Sequence, residues 1–167
     1  FDSRGEPNPW YYEQVEAGLN YRASDLHCAL GLSQLAKLDH FVARRRALAE
    51  RYDALLQPLA ALVRPVPRVS WGQSGWHLYA VAIDFDAAGL DRAALMRGLR
   101  EQGIGSQVHY IPVHRQPYYR ALYPGLELPG ADAYYSRCLS LPLFPAMSDF
   151  DVKHVIASVI GLSSKNS

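Results

Sequence analysis

Excess charge and long apolar runs are both missing from this sequence. Its 167 residues carry 17 Lys and Arg against 16 Asp and Glu, so the net charge is only +1. Nucleic-acid-binding domains usually show a basic excess, and a membrane-spanning helix needs roughly 20 consecutive apolar residues, which no stretch here supplies. We therefore expect neither a nucleic-acid partner nor a membrane partner.

Cysteine is scarce, and no metal-binding pattern is present. Cys28 and Cys138 lie too far apart to match a metal-ligand spacing, and the six histidines offer no paired spacing either. No signal-peptide pattern precedes them, so we expect reduced thiols in the cytoplasm. Each cysteine lies in a pattern typical of a helix, which predicts two small core residues and no metal site.

The first part of the chain divides into an irregular arm and a helix. Residues 1–18 are rich in Pro, Gly and aromatic side chains and lack periodicity. From residue 25 to residue 56, apolar residues recur every three or four positions, which predicts one long amphipathic helix. Gly31 is expected to mark a kink or a close backbone approach in this helix, and Pro58 is expected to end it.

The remainder alternates short strands and helices. An edge strand is predicted around residues 63–70, a central strand over 76–85 and a short strand over 106–113. Helices are predicted over 91–102, over 131–139, and from a Ser148 cap onward, and residues 163–167 form a polar tail. This order favours an α/β fold in which a small sheet packs on helices.

Polar groups cluster just ahead of the first helix. Asn20, Tyr21 and Arg22 place an amide, a phenol and a guanidinium before Ser24, whose hydroxyl is expected to cap the helix. A helix start beside an arginine favours an anion. A turn formed by Asn20 and a structural salt bridge formed by Arg22 remain the alternatives.

A second polar cluster lies at residues 107–110. On a strand, Gln107 and His109 face one way while Val108 and Tyr110 face the other, so only one pair points into a given pocket. From the residues alone, His109 is either a polar contact to a ligand or a hydrogen-bonded structural histidine. His114, just past Pro112, fits either role.

Three motifs together resemble one enzyme family. They are Gly-x-Asn-Tyr-Arg with Ala-Leu-Gly, Gln-Leu and Leu-Asp in residues 18–39, GIGSQVHYIPVHRQPYY in 103–119, and LSLPLFPAMSDFDV in 139–152. The family is that of the sugar aminotransferases named after DegT, DnrJ, EryC and StrS, which use pyridoxal phosphate (PLP). The resemblance implies the C-terminal small domain of a fold-type I aminotransferase, over residues 19–162, with residues 1–18 as an arm of a large domain outside this chain.

The resemblance also implies how the chemistry is divided. Lys37, Lys153 and Lys165 lack the flanking residues of the family's Schiff-base lysine, so that lysine is expected upstream and no catalytic residue is assigned here. Asn20 and Arg22 correspond to cofactor contacts, and Asn20 reaches the phosphate in the neighbouring subunit of a homodimer with shared active sites.

The substrate implied by the resemblance is a UDP-linked 4-keto-6-deoxy amino sugar, with glutamate as amino donor. Asn20 and the segment Gln107, Val108, His109 and Tyr110 correspond to the substrate mouth. Within the family, the branch that acts in pseudaminic acid biosynthesis is the most similar. Two alternatives stay open: a non-catalytic assembly module, and a dehydratase or regulatory relative with His in place of the Schiff-base Lys.

Overall fold

The structure is a computed structural model that describes Leu19 and residues 21–163. The chain divides into two units, Phe1–Lys37 and Leu38–Ser167.

The described part of the first unit contains one helix, α1 (Asp25–Leu35). None of its residues, all of which the structure describes, is buried. A turn at residues 36–37 ends the helix, where the Lys37 N–H donates to the Gln34 carbonyl at 3.0 Å. The prediction of one continuous helix over 25–56 is therefore wrong, and the break does not lie at Gly31. No Gly or Pro stands at residues 36–37, so no local signal marks the interruption.

The second unit holds five helices and three strands within its described residues. The helices are α2 (Leu38–Leu56), α3 (Arg92–Glu101), α4 (Pro117–Leu122), α5 (Pro129–Arg137) and α6 (Asp149–Ser163), and the strands are β1 (Val63–Pro65), β2 (Tyr79–Ile83) and β3 (Cys138–Leu141). Pro58 sits in a 3-10 turn directly after α2, as expected for a residue that cannot continue a helix.

The strands form one antiparallel sheet in the order β1-β2-β3. Val63 pairs with Ile83 across β1 and β2, and Tyr79 pairs with Leu141 across β2 and β3. The predictions of an edge strand at the prolines and of a central strand before Phe85 are confirmed. The α/β class with a small antiparallel sheet on helices is confirmed with them.

The two faces of the sheet differ because side chains alternate along each strand. One face joins a single buried cluster with α2, α3 and α6. Its fully buried members of largest volume are Tyr52, Tyr79, Leu48, Leu56, Ile83, Leu95, Leu99, Leu139, Val63, Val81, Val152 and Val159. The opposite face carries Cys138 and Ser140, which are 2% and 6% exposed.

In the second half, one strand prediction is wrong, and one predicted helix is present but ends two residues early. Residues 106–113 do not form a strand, and within them Gln107 alone makes an isolated antiparallel bridge, to Ser140. The helix predicted over 131–139 ends at Arg137, where the chain turns directly into β3. Pairing with β2 decides the conformation of the four residues of β3. Four residues are too few to show the hydrophobic periodicity that identifies a strand in a sequence.

The start of α6 agrees with the sequence. The Ser148 hydroxyl accepts a hydrogen bond from the Asp151 N–H at 3.2 Å, and the Asp151 carboxylate accepts one from the Ser148 N–H at 2.7 Å. This reciprocal arrangement is a capping box, so the predicted Ser148 cap is confirmed. The helix includes Ser163, the first residue of the predicted polar tail.

Candidate functional site

The first predicted cluster is only partly described. Asn20 lies outside the described residues, while Arg22 is exposed in an irregular stretch ahead of α1. The Ser24 hydroxyl makes no capping bond to the α1 backbone and lies instead 2.8 Å from His27 Nδ1. The expected cap is therefore wrong, because the side chain of the next helical turn competes for the hydroxyl.

The second predicted cluster is organised by one residue, Ser140. Its backbone N–H donates to the Gln107 carbonyl at 2.8 Å, and the Gln107 N–H donates to the Ser140 carbonyl at 3.2 Å. The Gln107 side chain is turned back, since its Oε1 accepts from the Val108 N–H at 2.9 Å. Gln107 thus fixes the segment to the outer edge of β3 through its backbone.

The His109 side chain contacts the same serine. Its Nδ1 lies 2.9 Å from the Ser140 hydroxyl oxygen, and the imidazole is half-buried. The Tyr110 ring meets the imidazole edge-on, with 4.7 Å between ring centroids. The structure therefore brings Gln107, His109 and Ser140 together.

Val108 and Tyr110 have different environments. Val108 is partly buried and packs against the hydrophobic core, whereas Tyr110 is 72% exposed. The predicted two-face alternation does not hold beyond Val108, because the chain leaves the edge of β3 after the single bridge at Gln107. Tyr110 is thus available to a ligand and Val108 is a core residue.

A second anchor, which sequence reasoning missed, holds the other end of this segment. Asp132 on α5 lies 3.2 Å from His114 Nε2 and 2.6 Å from Arg115 Nε. The His114 side chain is only 7% exposed, so its open role is resolved in favour of a structural contact. A cleft of about 630 Å³ opens beside this anchor, and the exposed Arg120 lines it too. Seventeen residues separate Arg115 from Asp132, and nothing in the sequence pairs them.

Another polar cluster lies between α2 and β2. The Arg68 guanidinium donates two hydrogen bonds of 2.5 Å to the Asp53 carboxylate, and the Tyr79 hydroxyl donates to the same carboxylate at 2.7 Å. Burial raises the pKa of the Tyr79 phenol well above its ordinary range, so the hydroxyl remains a donor. Arg68 also stacks over the Trp76 ring at 4.4 Å. These contacts tie the loop before β2 to α2.

The cysteines do not share one environment. Cys138 is buried on β3, where burial raises the pKa of its thiol, so it is a core residue as predicted but in a strand instead of the predicted helix. Cys28 is exposed on α1, so the prediction that it is a core residue is wrong. The α1 leucines around it are exposed as well, so no residue of α1 is buried by the part of its unit that the structure describes.

The described lysines are surface amines. Lys37 and Lys153 are both exposed, the first in the turn after α1 and the second on α6. Across Leu19 and residues 21–163, no group of three His, Cys, Asp or Glu side chains is placed to hold a metal ion. In the same described part, no helix combines the length and apolarity needed to cross a membrane.

Comparison with known proteins places this chain. The sequence profile of the DegT/DnrJ/EryC1/StrS aminotransferase family matches residues 2–160. The chain belongs to the DegT/DnrJ/EryC1/StrS aminotransferase family. The resemblance stated from the three motifs is thereby confirmed.

Relatives within the DegT/DnrJ/EryC1/StrS family agree in sequence and in fold. The spore coat polysaccharide biosynthesis protein SpsC of Bacillus subtilis is 42% identical over 153 residues, which cover 90% of this chain and 39% of SpsC. Helicobacter pylori PseC, an aminotransferase involved in the biosynthesis of pseudoaminic acid, is 25% identical with a TM-score of 0.78, over 94% of this chain and 42% of PseC.

A third relative carries information on the cofactor. Spr1654 of Streptococcus pneumoniae, solved in a PLP form, is 26% identical with a TM-score of 0.77, over 95% of this chain and 40% of that one. It has also been solved in a PMP form. PLP is thus confirmed as the cofactor at the level of the family. The chain spans about two fifths of the length of all three relatives.

Proposed function

We propose that this chain forms the C-terminal part of a PLP-dependent aminotransferase acting on a nucleotide-linked sugar. The match to the aminotransferase family over residues 2–160 carries this proposal. The amino group passes from glutamate to the keto carbon of a UDP-linked 4-keto-6-deoxy amino sugar, in a pathway of the pseudaminic acid type. The similarity to PseC, an aminotransferase involved in the biosynthesis of pseudoaminic acid, supports that type of pathway.

The residues of this chain fit one end of the cofactor. Arg22 presents an exposed guanidinium ahead of the N-terminus of α1, a combination that suits a phosphate group. Neither Lys37 nor Lys153 lies in an enclosed site, so the lysine that binds the cofactor covalently comes from outside the described residues. When bound, PLP supplies the electron sink for the transfer.

The substrate side is assigned to the segment fixed at Ser140 and Asp132. His109 offers a polar ring nitrogen, and the exposed Tyr110 ring offers stacking and a hydroxyl. Because both ends of this segment are held by buried or ion-paired partners, the two side chains are preorganised for binding. Gln107 and Val108 contribute by holding the backbone rather than by direct contact.

The assembly that follows is a cytoplasmic homodimer with shared sites. Asn20 and Arg22 of one subunit complete the cofactor site of the other, and residues 19–162 act as the domain that carries them. Two free cysteines, Cys28 and Cys138, are in keeping with a reducing compartment.

The proposal is tested with two proteins, this chain and the product of its gene including the upstream coding sequence. Mixed with PLP, the longer protein is expected to show the absorbance of PLP bound to a lysine, and this chain alone is expected to show none. The longer protein should then convert glutamate and the UDP-linked keto sugar to 2-oxoglutarate and the amino sugar.

Each alternative has its own outcome in the same experiment. Covalent PLP binding by this chain alone would contradict the assignment of the lysine to the upstream part. A His at the position of that lysine, with dehydration of the sugar instead of amino transfer, would favour the dehydratase. No PLP binding by either protein would favour an assembly module.

A further inference from the structure

Ser140 occupies an unusual position for a serine. It lies in the middle of β3, is 6% exposed, and pairs with Ala80 on one side and with Gln107 on the other. Its backbone groups are therefore used by the sheet and by the bridge, and its hydroxyl points to His109. A buried hydroxyl needs a partner, since leaving the donor unmatched costs free energy.

The hydrogen-bond inventory indicates which group donates. Among Leu19 and residues 21–163, His109 Nδ1 is the partner that the structure gives to the Ser140 hydroxyl, at 2.9 Å. If Nδ1 carried the proton, the hydroxyl hydrogen would be left without an acceptor in a nearly buried place. The hydroxyl therefore donates to Nδ1, and in the neutral imidazole the proton then resides on Nε2.

We propose that Ser140 is a positioning residue that holds His109 in the tautomer protonated at Nε2, so that the ring presents an N–H donor to an anionic group of the substrate. In the part of the chain that is described, Nε2 has no hydrogen-bond partner of its own. The group it suits is a phosphate oxygen of the nucleotide moiety, which accepts hydrogen bonds and carries negative charge. This inference rests on the proposed role of His109 as a substrate contact.

The tautomer is read directly by two-bond nitrogen–proton correlation NMR on this chain labelled with ¹⁵N-histidine. The His109→Gln variant identifies the signals of His109 among the six histidines. We expect the wild-type signal to report protonation at Nε2, and the Ser140→Ala signal to report exchange between both tautomers. Protonation of Nδ1 in the wild type overturns the inference, and so does an unchanged signal in Ser140→Ala.

Kinetics of the longer protein separate positioning from mere stability. Ser140→Ala should raise KM for the nucleotide sugar about five-fold while kcat is retained. Ser140→Thr keeps a hydroxyl, so its KM should lie between those of the wild type and Ser140→Ala. The matched control is Ser163→Ala, which removes an equally buried hydroxyl that donates to the Val159 carbonyl at 2.8 Å. That control should leave KM unchanged.

The role of His109 is checked in the same series. If His109→Ala leaves KM unchanged, the proposed substrate contact fails whatever Ser140 does. If His109→Ala raises KM and Ser140→Ala does not, the contact stands and the positioning role fails. If Ser140 and His109 act through the same interaction with the substrate, adding Ser140→Ala to the His109→Ala variant does not raise KM further.

Discussion

At the residue scale, single polar side chains hold distant segments together. Asp53 accepts three hydrogen bonds, two from Arg68 and one from the buried Tyr79. The Asp132 carboxylate lies within ion-pair distance of His114 and Arg115. Arg68 lies 15 positions and Tyr79 lies 26 positions after Asp53 in the sequence. No periodicity of the sequence predicts that these residues are in contact. Sequence reasoning selected His109 but had no signal for Ser140, which contacts its ring, or for Asp132, which holds the other end of its segment at His114 and Arg115.

Replacing Asp53 should destabilise the second unit. Asp53→Ala leaves the buried Tyr79 hydroxyl without its acceptor and Arg68 without its ion pair, so we expect the free energy of unfolding to fall by about 2 kcal/mol. Urea unfolding followed by circular dichroism measures this loss. Asp86→Ala, at an exposed position, is the control and should change stability by less than about 0.5 kcal/mol. Equal effects of the two variants would refute the role of Asp53.

The two thiols should react at very different rates. Cys28 is exposed, whereas Cys138 is buried on β3 and its pKa is raised by burial, so little thiolate forms there. A thiol reagent at neutral pH should modify Cys28 quickly and Cys138 only after urea is added. In the Cys28→Ser variant the fast phase should disappear. A fast phase that survives in this variant would mean that Cys138 is accessible.

At the element scale, local signals identified the helices that begin with a cap, and tertiary contacts decided the rest. Asp91 caps α3 through the Ala94 N–H at 2.6 Å, at the start of a predicted helix, and Ser148 caps α6 as predicted. The strand β3 was not predicted, because its four residues directly follow a helix and show no distinctive hydrophobic pattern. The break at residues 36–37 escaped because the apolar spacing continues across it.

The capping box of α6 makes a prediction about pH. Hydrogen bonds from the Ser148 N–H and hydroxyl lower the pKa of Asp151 below its ordinary value of 3.8. Because the folded pKa is the lower one, the stabilisation is complete above pH 3.8 and is lost as the pH falls through the folded pKa. Asp151→Asn should thus be less stable than the wild type at pH 7, and the difference should shrink below pH 3.8.

The difference in stability between the wild type and Asp151→Asn is measured by thermal unfolding at several pH values between 2.5 and 7. The matched control is Asp149→Asn, which alters a carboxylate of the same helical turn that pairs with Arg44 at 3.6 Å instead of closing the capping box. A difference for Asp151→Asn that stays constant over this range would contradict the assigned hydrogen bonds.

At the scale of the whole molecule, the chain corresponds to only part of each relative. It matches the aminotransferase family over residues 2–160 and spans about two fifths of the relatives' length. The fold class followed from the order of elements, and the family followed from three motifs. The proposed cofactor lysine and partner subunit could not be inferred from contacts within this chain, because the structure describes only Leu19 and residues 21–163 of a single chain.

The central claim is that Asn20 of one subunit serves the active site of its neighbour, and subunit complementation tests it most directly. Two variants of the longer protein are needed, one without the cofactor lysine and one with Asn20→Ala, each impaired as a homodimer. Mixed and reassembled, they should regain aminotransferase activity, because one site of each hybrid dimer combines an intact lysine with an intact Asn20. Mixtures no more active than the separate variants, with hybrid dimers demonstrably formed, would contradict shared sites.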